Sequence, residues 1–190
     1  RWRIASDLNG VILARMLRRT AARLGFRDPI LWSPLYNSAA VLRHFPARLR
    51  VFESHDYDAG QARDAAHRAL VLALEEDSCR AADIVVAVTE ELAAPLRAFN
   101  PHVHVVNCAA ALDFFGAALS PQTVVPEAIA RLPGPVIGYL GGVDPWKIDI
   151  GLLREVARSH PEWSIALVGY VWFGFDPTVF ADCPNIHVLG

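Results

Sequence analysis

"ADIVVAVTEELAAPLRAFNPHVHVVN", residues 82–107, holds two β-branched runs separated by one helical pattern. The first, "DIVVAV" at 83–88, is nearly unbroken in valine and isoleucine, the composition of a strand buried on both faces. Thr89 follows it and is placed to cap the helix "EELAAPLRAF". "HVHVVN" then reads as the next strand. A strand, a helix and a second strand in close succession form the repeating unit of a parallel sheet.

The same alternation extends upstream. "PILW" at 29–32 and "LRVFES" at 49–54 read as short strands, and "AGQARDAAHRALVLALEEDSCRAA" at 59–82 reads as one long helix. "VILARMLRRTAARL" at 11–24 predicts a helix with Val11, Ile12, Met16 and Leu24 opposite Arg15, Arg19 and Arg23, which recur every four residues. Downstream the alternation pauses. "AALDFFGAALSPQTVVPEAIARLPGP" at 110–135 contains four prolines and no strand pattern, as a linker with one or two short helices would. Strand and helix resume with "PVIGYLG", "DIGLLREVARSHP", "WSIALVG" and "NIHVLG". The expected fold is α/β, with two Rossmann-like parallel-sheet domains. Residues 1–110 form part of the first, 111–134 the linker, and 135–190 the start of the second. A doubly wound domain uses five or six strands, so three strand patterns describe a truncated second domain.

Composition narrows the class. The chain is 53% hydrophobic and 20% charged, which suits a folded core and argues against disorder. Cys79, Cys108 and Cys183 are widely spaced with no CxxC pattern, so reduced thiols and a cytoplasmic, reducing compartment are expected. No apolar run approaches the ~18 residues that mark a membrane-spanning helix. The opening "RWRIASD" does not read as a natural start and carries no signal peptide. Ten arginines against Asp7 and Asp28 give residues 1–50 a net charge of +8. Eight basic and eighteen acidic groups give residues 51–190 a net of −10. A basic first quarter suits an anionic lipid or substrate, and equally a set of solvated helix faces.

Two loops carry candidate chemistry. In "VIGYLGGVDPWKIDIGLL", Gly141 and Gly142 follow a strand, Asp144 and Pro145 open a turn, and Asp149 is placed to cap a helix that buries Leu152, Leu153 and Val156. Lys147, the only lysine in the chain, lies between turn and helix. Ligands bind at the carboxyl ends of strands in open α/β sheets. Glycines there admit a phosphate to the backbone, a helix N-terminus favours negative charge, and a lysine adds a mobile cation. The stretch is neither GxGxxG nor GxxxxGK[ST], so neither dinucleotide nor P-loop binding is indicated. A plain strand-to-helix connection has the same residues. In "ESHDYDAG", His55, Asp56 and Asp58 follow the strand at 49–54. His55 can hydrogen-bond a substrate hydroxyl and Asp56 can orient it or act as a base. Alternatively, Asp56 and Asp58 cap a helix starting near Gly60. Glu75 and Glu76 read as a solvated helix face. His102 and His104 share one face of a strand without further metal ligands. "YVWFGFD" at 170–176 is an aromatic loop that suits packing or stacking on a base.

The order of "ADIVVAVTEELAAPLRAF", "HVHVVNCAAALDFFGAAL", a proline-rich linker, "PVIGYLGGVDPWKIDIGLLREVARSHPEWSIALVG" and "CPNIHVLG" resembles the retaining, nucleoside-diphosphate-sugar-dependent glycosyltransferases of the GT-B fold, family 4 in particular. The match runs from about residue 80 to 190 and extends more loosely to residue 29. It implies an acceptor-side first domain and a donor-binding second domain. It implies transfer of a sugar to a glycan, lipid-linked or small-molecule acceptor, in bacterial polysaccharide or cell-wall assembly. The nucleoside diphosphate sugar is then a substrate, and neither a cofactor, a metal nor a nucleic acid is implied. The family places an arginine and a lysine, spaced R-x4-K, after the second domain's first strand. Lys147 fills the lysine slot, and Gly142 stands in the arginine slot. Gly141 matches the glycine that admits the phosphate, and Gly169 with Tyr170 falls near the donor. The family's "NGvD" reads "NCAA" here, with Asn107 kept and Cys108 and Ala110 replacing the glycine and aspartate. The glutamates that grip the donor lie beyond the segment matching "NIHVLG", and the first domain's opening strand has no counterpart. The chain therefore reads as the middle of an enzyme, inactive alone. A GT-B-like sugar-nucleotide epimerase and a non-catalytic remnant or binding module are the alternatives. The basic helix at 11–24 is expected to touch the inner membrane surface peripherally.

Overall fold

The computed structural model describes residues 2–190, with side chains described from Asp7 onward. Its contacts divide the chain into two compact units, Arg1–Ala110 and Ala111–Gly190.

In the first unit, β1 (Ile30–Ser33), β2 (Leu49–Ser54), β3 (Ile84–Ala87) and β4 (Val103–Val105) form one parallel sheet in the order β1-β2-β3-β4. Between them run α2 (Ala39–His44), α3 (Ala65–Ala81) and α4 (Glu90–Leu96), and α1 (Trp2–Arg23) precedes them. The register aligns Ser33 with Phe52, Phe52 with Val85, and Val85 with Val103 along one face of the sheet. That face meets Leu42 of α2, Cys79 of α3 and Leu96 of α4 in a buried cluster. Each fully buried side chain of this size contributes roughly 1.5–3 kcal/mol. On the opposite face of β1, Ile30 and Trp32 are 49% and 54% exposed. Thr89 caps α4 by accepting from the Leu92 N–H, as the sequence predicts.

Two helices differ from expectation. The long helix expected over 59–82 is divided. A short 3-10 turn covers Asp58–Gln61, and α3 begins at Ala65 under Asp64, whose carboxylate accepts from the His67 N–H. Asp64 is the stronger cap because its side chain reaches the third residue of the helix, so Asp56 and Asp58 do not serve that end. In α1, Ile12 and Met16 are exposed rather than packed, and so is Leu24 just past its end. The inward side is made of small residues instead. A Cβ on Gly10 would lie 2.3 Å from the Cβ of Ala40, and Ala14 is 1% exposed. Close approach of two helix backbones selects these small side chains over larger apolar ones. The helix stops at a left-handed Gly25 (φ 76°), with Phe26 N–H bonded to Ala21 O and Gly25 N–H to Ala22 O, the paired closure of a Schellman motif.

The second unit opens with short helices, α5 (Leu112–Gly116) and α6 (Glu127–Ala130), neither of which buries a residue. Then β5 (Val136–Leu140), α7 (Ile150–Ser159), β6 (Ser164–Val168) and β7 (Ile186–Val188) form a parallel sheet in the order β5-β6-β7. Ile165, Leu167 and Ile186 pack with Val143, Ile148, Ala157 and Phe180. Leu153 and Val156 of α7 join this core as expected, but Leu152 is 56% exposed. Ala157 takes the buried position instead, because the face of α7 that meets the sheet is centred on Leu153, Val156 and Ala157. Asn185 donates to the carbonyls of Ala157, His160 and Trp163 at 3.0, 3.1 and 3.0 Å, which closes the end of α7 and the turn after it. Among the described residues, no helix is long and apolar enough to cross a membrane.

Candidate functional site

Each sheet presents one loop of interest at the carboxyl end of a strand. In the first unit, β2 ends on Ser54, a residue only 3% exposed. Its hydroxyl donates to Oε1 of Glu75 at 2.9 Å. Glu75 is therefore a half-buried member of this site and not the solvated residue the sequence suggests. Burial raises its pKa above the ordinary carboxylate value, the Ser54 hydrogen bond opposes that, and Asp58 adds to the rise. Asp58 is shifted the same way, first by burial and then by Asp56, with His55 opposing. His55 Nε2 lies 3.5 Å from Asp56 Oδ2, and both side chains are exposed. The Tyr57 hydroxyl accepts from Arg68 at 2.6 Å, which ties the loop to α3. The loop thus offers a hydrogen-bonding imidazole, an exposed carboxylate beside it, and two carboxyls that hold protons to higher pH.

Glu75 left a trace in the sequence. Val71, Glu75 and Ser78 follow the i, i+4, i+7 spacing of one helical stripe, and Val71 and Ser78 are buried. A carboxylate inside such a stripe requires a polar partner, here Ser54. Among the described residues, no group of three or more His, Cys, Asp or Glu is arranged to hold a metal ion.

In the second unit, the loops after β5 and β6 run side by side. Gly141 N–H donates to Val168 O at 3.0 Å, Val143 N–H to Tyr170 O at 2.9 Å, and Trp172 N–H to Val143 O at 3.0 Å. This extends the β5–β6 pairing past the strands to Val143 and Val171. Gly169 makes the approach possible. Its φ is +136°, and a Cβ there would lie 2.2 Å from the Gly141 carbonyl oxygen. Gly142 has open space where a side chain would project, and its carbonyl accepts from the Tyr139 hydroxyl at 3.0 Å. Its N–H has no hydrogen-bond partner among the described residues.

The turn that follows is built on Asp144. Its carboxylate accepts from Trp146 N–H at 2.9 Å, and its carbonyl accepts from Lys147 N–H and Ile148 N–H at 2.9 and 3.0 Å. Val143 and Ile148 are buried on either side and anchor the turn. Lys147 is exposed, its ammonium 5.9 Å from the Trp146 ring centre, and it forms no ion pair among the described residues. A hollow of about 460 Å³ lies between Pro145 and Ile150. The first turn of α7 is already capped by Asp149, which accepts from Leu152 N–H at 2.9 Å. That cap occupies one of the free N–H groups of the helix end, and the Gly142 amide and the Lys147 ammonium are further donors that the loop offers an anion. Tyr170 is 67% exposed and meets Trp172 edge to face at 6.3 Å between ring centres.

Together the sheets and loops define an α/β protein with two parallel sheets, an arrangement compatible with a Rossmann-like fold. No protein-family model matches the chain, and no curated protein matches it.

Proposed function

We propose that this chain belongs to a GT-B-type glycosyltransferase that moves a sugar from a nucleoside diphosphate donor to a hydroxyl-bearing glycan, lipid-linked or small-molecule acceptor. The observation that carries this is the loop after β5. A lysine that forms no ion pair and a glycine amide that forms no hydrogen bond among the described residues stand at the carboxyl end of a parallel sheet. Such donors suit a diphosphate, whose departure needs its growing negative charge stabilised. Gly142 supplies an amide in the place where the resemblance would put an arginine, and that leaves Lys147 as the one side-chain cation in the slot.

In this mechanism Lys147 and the Gly142 N–H hold the leaving diphosphate. Tyr170 offers an exposed ring to the donor, beside a loop whose path is fixed by Gly169 and Gly141. On the acceptor side, His55 orients a hydroxyl and Asp56 receives its proton, with Asp58 and Glu75 setting the local charge.

The direct test is thermal unfolding of the chain with UDP, GDP, ADP and the matching nucleosides. A ligand that binds only the folded state raises the unfolding temperature. The expected result is stabilisation by at least one nucleoside diphosphate and none by its nucleoside. Equal shifts for both, or no shift with any diphosphate, would remove the basis for a donor site.

A further inference from the structure

We propose that the outward face of α1 docks the protein on an anionic lipid bilayer. The helix turns Gly10 and Ala14 towards α2, so its opposite side faces away from that packing. That side carries Leu8, Ile12 and Met16, exposed at 60%, 46% and 58%. Arg15, Arg19 and Arg23 continue the same stripe, because positions 8, 12, 15, 16, 19 and 23 fall within one arc of a 3.6-residue helix. The stripe is apolar over its first half and cationic over its second. None of its three arginines forms an ion pair among the described residues, whereas Arg43, on α2, pairs with Asp7 at 3.6 Å.

A bilayer interface accepts both halves of such a stripe. Aliphatic side chains enter the headgroup–acyl boundary, and guanidiniums meet lipid phosphates. A nucleic acid would use the arginines but not the leucine, isoleucine and methionine that share their stripe. The net charge of +8 over residues 1–50, to which these arginines contribute, favours a negative surface.

Sedimentation of the full chain with vesicles tests this. The wild type should bind vesicles of phosphatidylcholine mixed with phosphatidylglycerol, bind pure phosphatidylcholine far less, and be released by salt. Arg15→Gln/Arg19→Gln/Arg23→Gln should weaken binding by about tenfold or more. Ile12→Ser/Met16→Ser should weaken it independently. All five positions are exposed, so unchanged circular dichroism is expected and separates lost binding from lost folding. The proposal is overturned by no binding to anionic vesicles, by equal binding to both vesicle types, or by variants that bind like the wild type. It is overturned equally if the Ile12/Met16 face instead drives concentration-dependent dimerisation without vesicle binding, or if duplex DNA binds more tightly than vesicles.

Discussion

Glu75 stands where a helix would ordinarily place an apolar side chain, between buried Val71 and buried Ser78. The Ser54 hydroxyl makes that position tolerable, and the remaining burial raises the carboxyl's pKa. The consequence for stability has a definite sign. Below the ordinary carboxylate value both folded and unfolded chains hold the proton, and no penalty exists. As pH rises from that value through the raised folded value, the unfolded chain releases the proton first and stability falls. Glu75→Gln keeps an acceptor for Ser54 and removes the titration. It should flatten the decline of unfolding temperature between mildly acidic and neutral pH and raise the neutral value by about 2–4 °C. An unchanged pH profile would show that Glu75 is not held at a raised pKa. Gly169 is constrained more severely. Its positive φ and the 2.2 Å separation a Cβ would have from Gly141 O leave no room for alanine. Gly169→Ala should destabilise the second unit by about 2–3 kcal/mol, read from denaturant unfolding, and should move the Gly141–Gly142 loop with it. A variant as stable as the wild type would contradict this account of the loop.

At the scale of elements, legibility followed the local signals. β3 was plain because "DIVVAV" is β-branched throughout, and α4 because Thr89 stands immediately before it. In α1 the apolar pattern points to the wrong side. Large apolar residues normally mark the buried stripe, but here Gly10 and Ala14 allow α1 to approach α2 more closely than leucine or methionine would permit. The break before α3 is hidden in the sequence because "AGQARDAAH" is rich in helix formers, and the Asp64 cap declares itself only through its bond to His67 N–H. The two strand-end loops were found from their position after apolar runs. The Ser54–Glu75 contact was not, because it joins residues on separate elements. Two asparagines were also silent in the sequence. Asn100 donates to Cys79 O and Ala82 O at 2.9 Å each and accepts from His102 N–H, and Asn185 does similar work at the end of α7. Each fastens the close of a helix to the start of a strand, β4 in one unit and β7 in the other. Asn185→Ala leaves three carbonyls without that donor and should cost the second unit about 2 kcal/mol, measured by chemical denaturation. A loss near zero would mean that water replaces the amide fully.

At the scale of the molecule, one chain carries two parallel sheets and a strongly divided charge. The first unit contributes His55, Asp56, Asp58 and Glu75 at the end of β2, and the second contributes Gly141, Gly142, Lys147 and Gly169 around the end of β5. Polar groups on loops at strand ends are the parts of an α/β protein that most often touch a ligand. The proposed transferase gives both loops work, with acceptor chemistry on one and diphosphate binding on the other. Lys147 is the point on which that account turns, since it is the chain's only lysine and forms no ion pair among the described residues. The most direct measurement is titration calorimetry of the wild-type chain and Lys147→Ala with the nucleoside diphosphate that stabilises the protein most. The account predicts that affinity falls about tenfold or more in the variant, the loss expected when one charge-assisted hydrogen bond is removed, while the unfolding temperature without ligand stays unchanged. Equal affinity for the two proteins would contradict it and return Lys147 to the role of an ordinary loop charge.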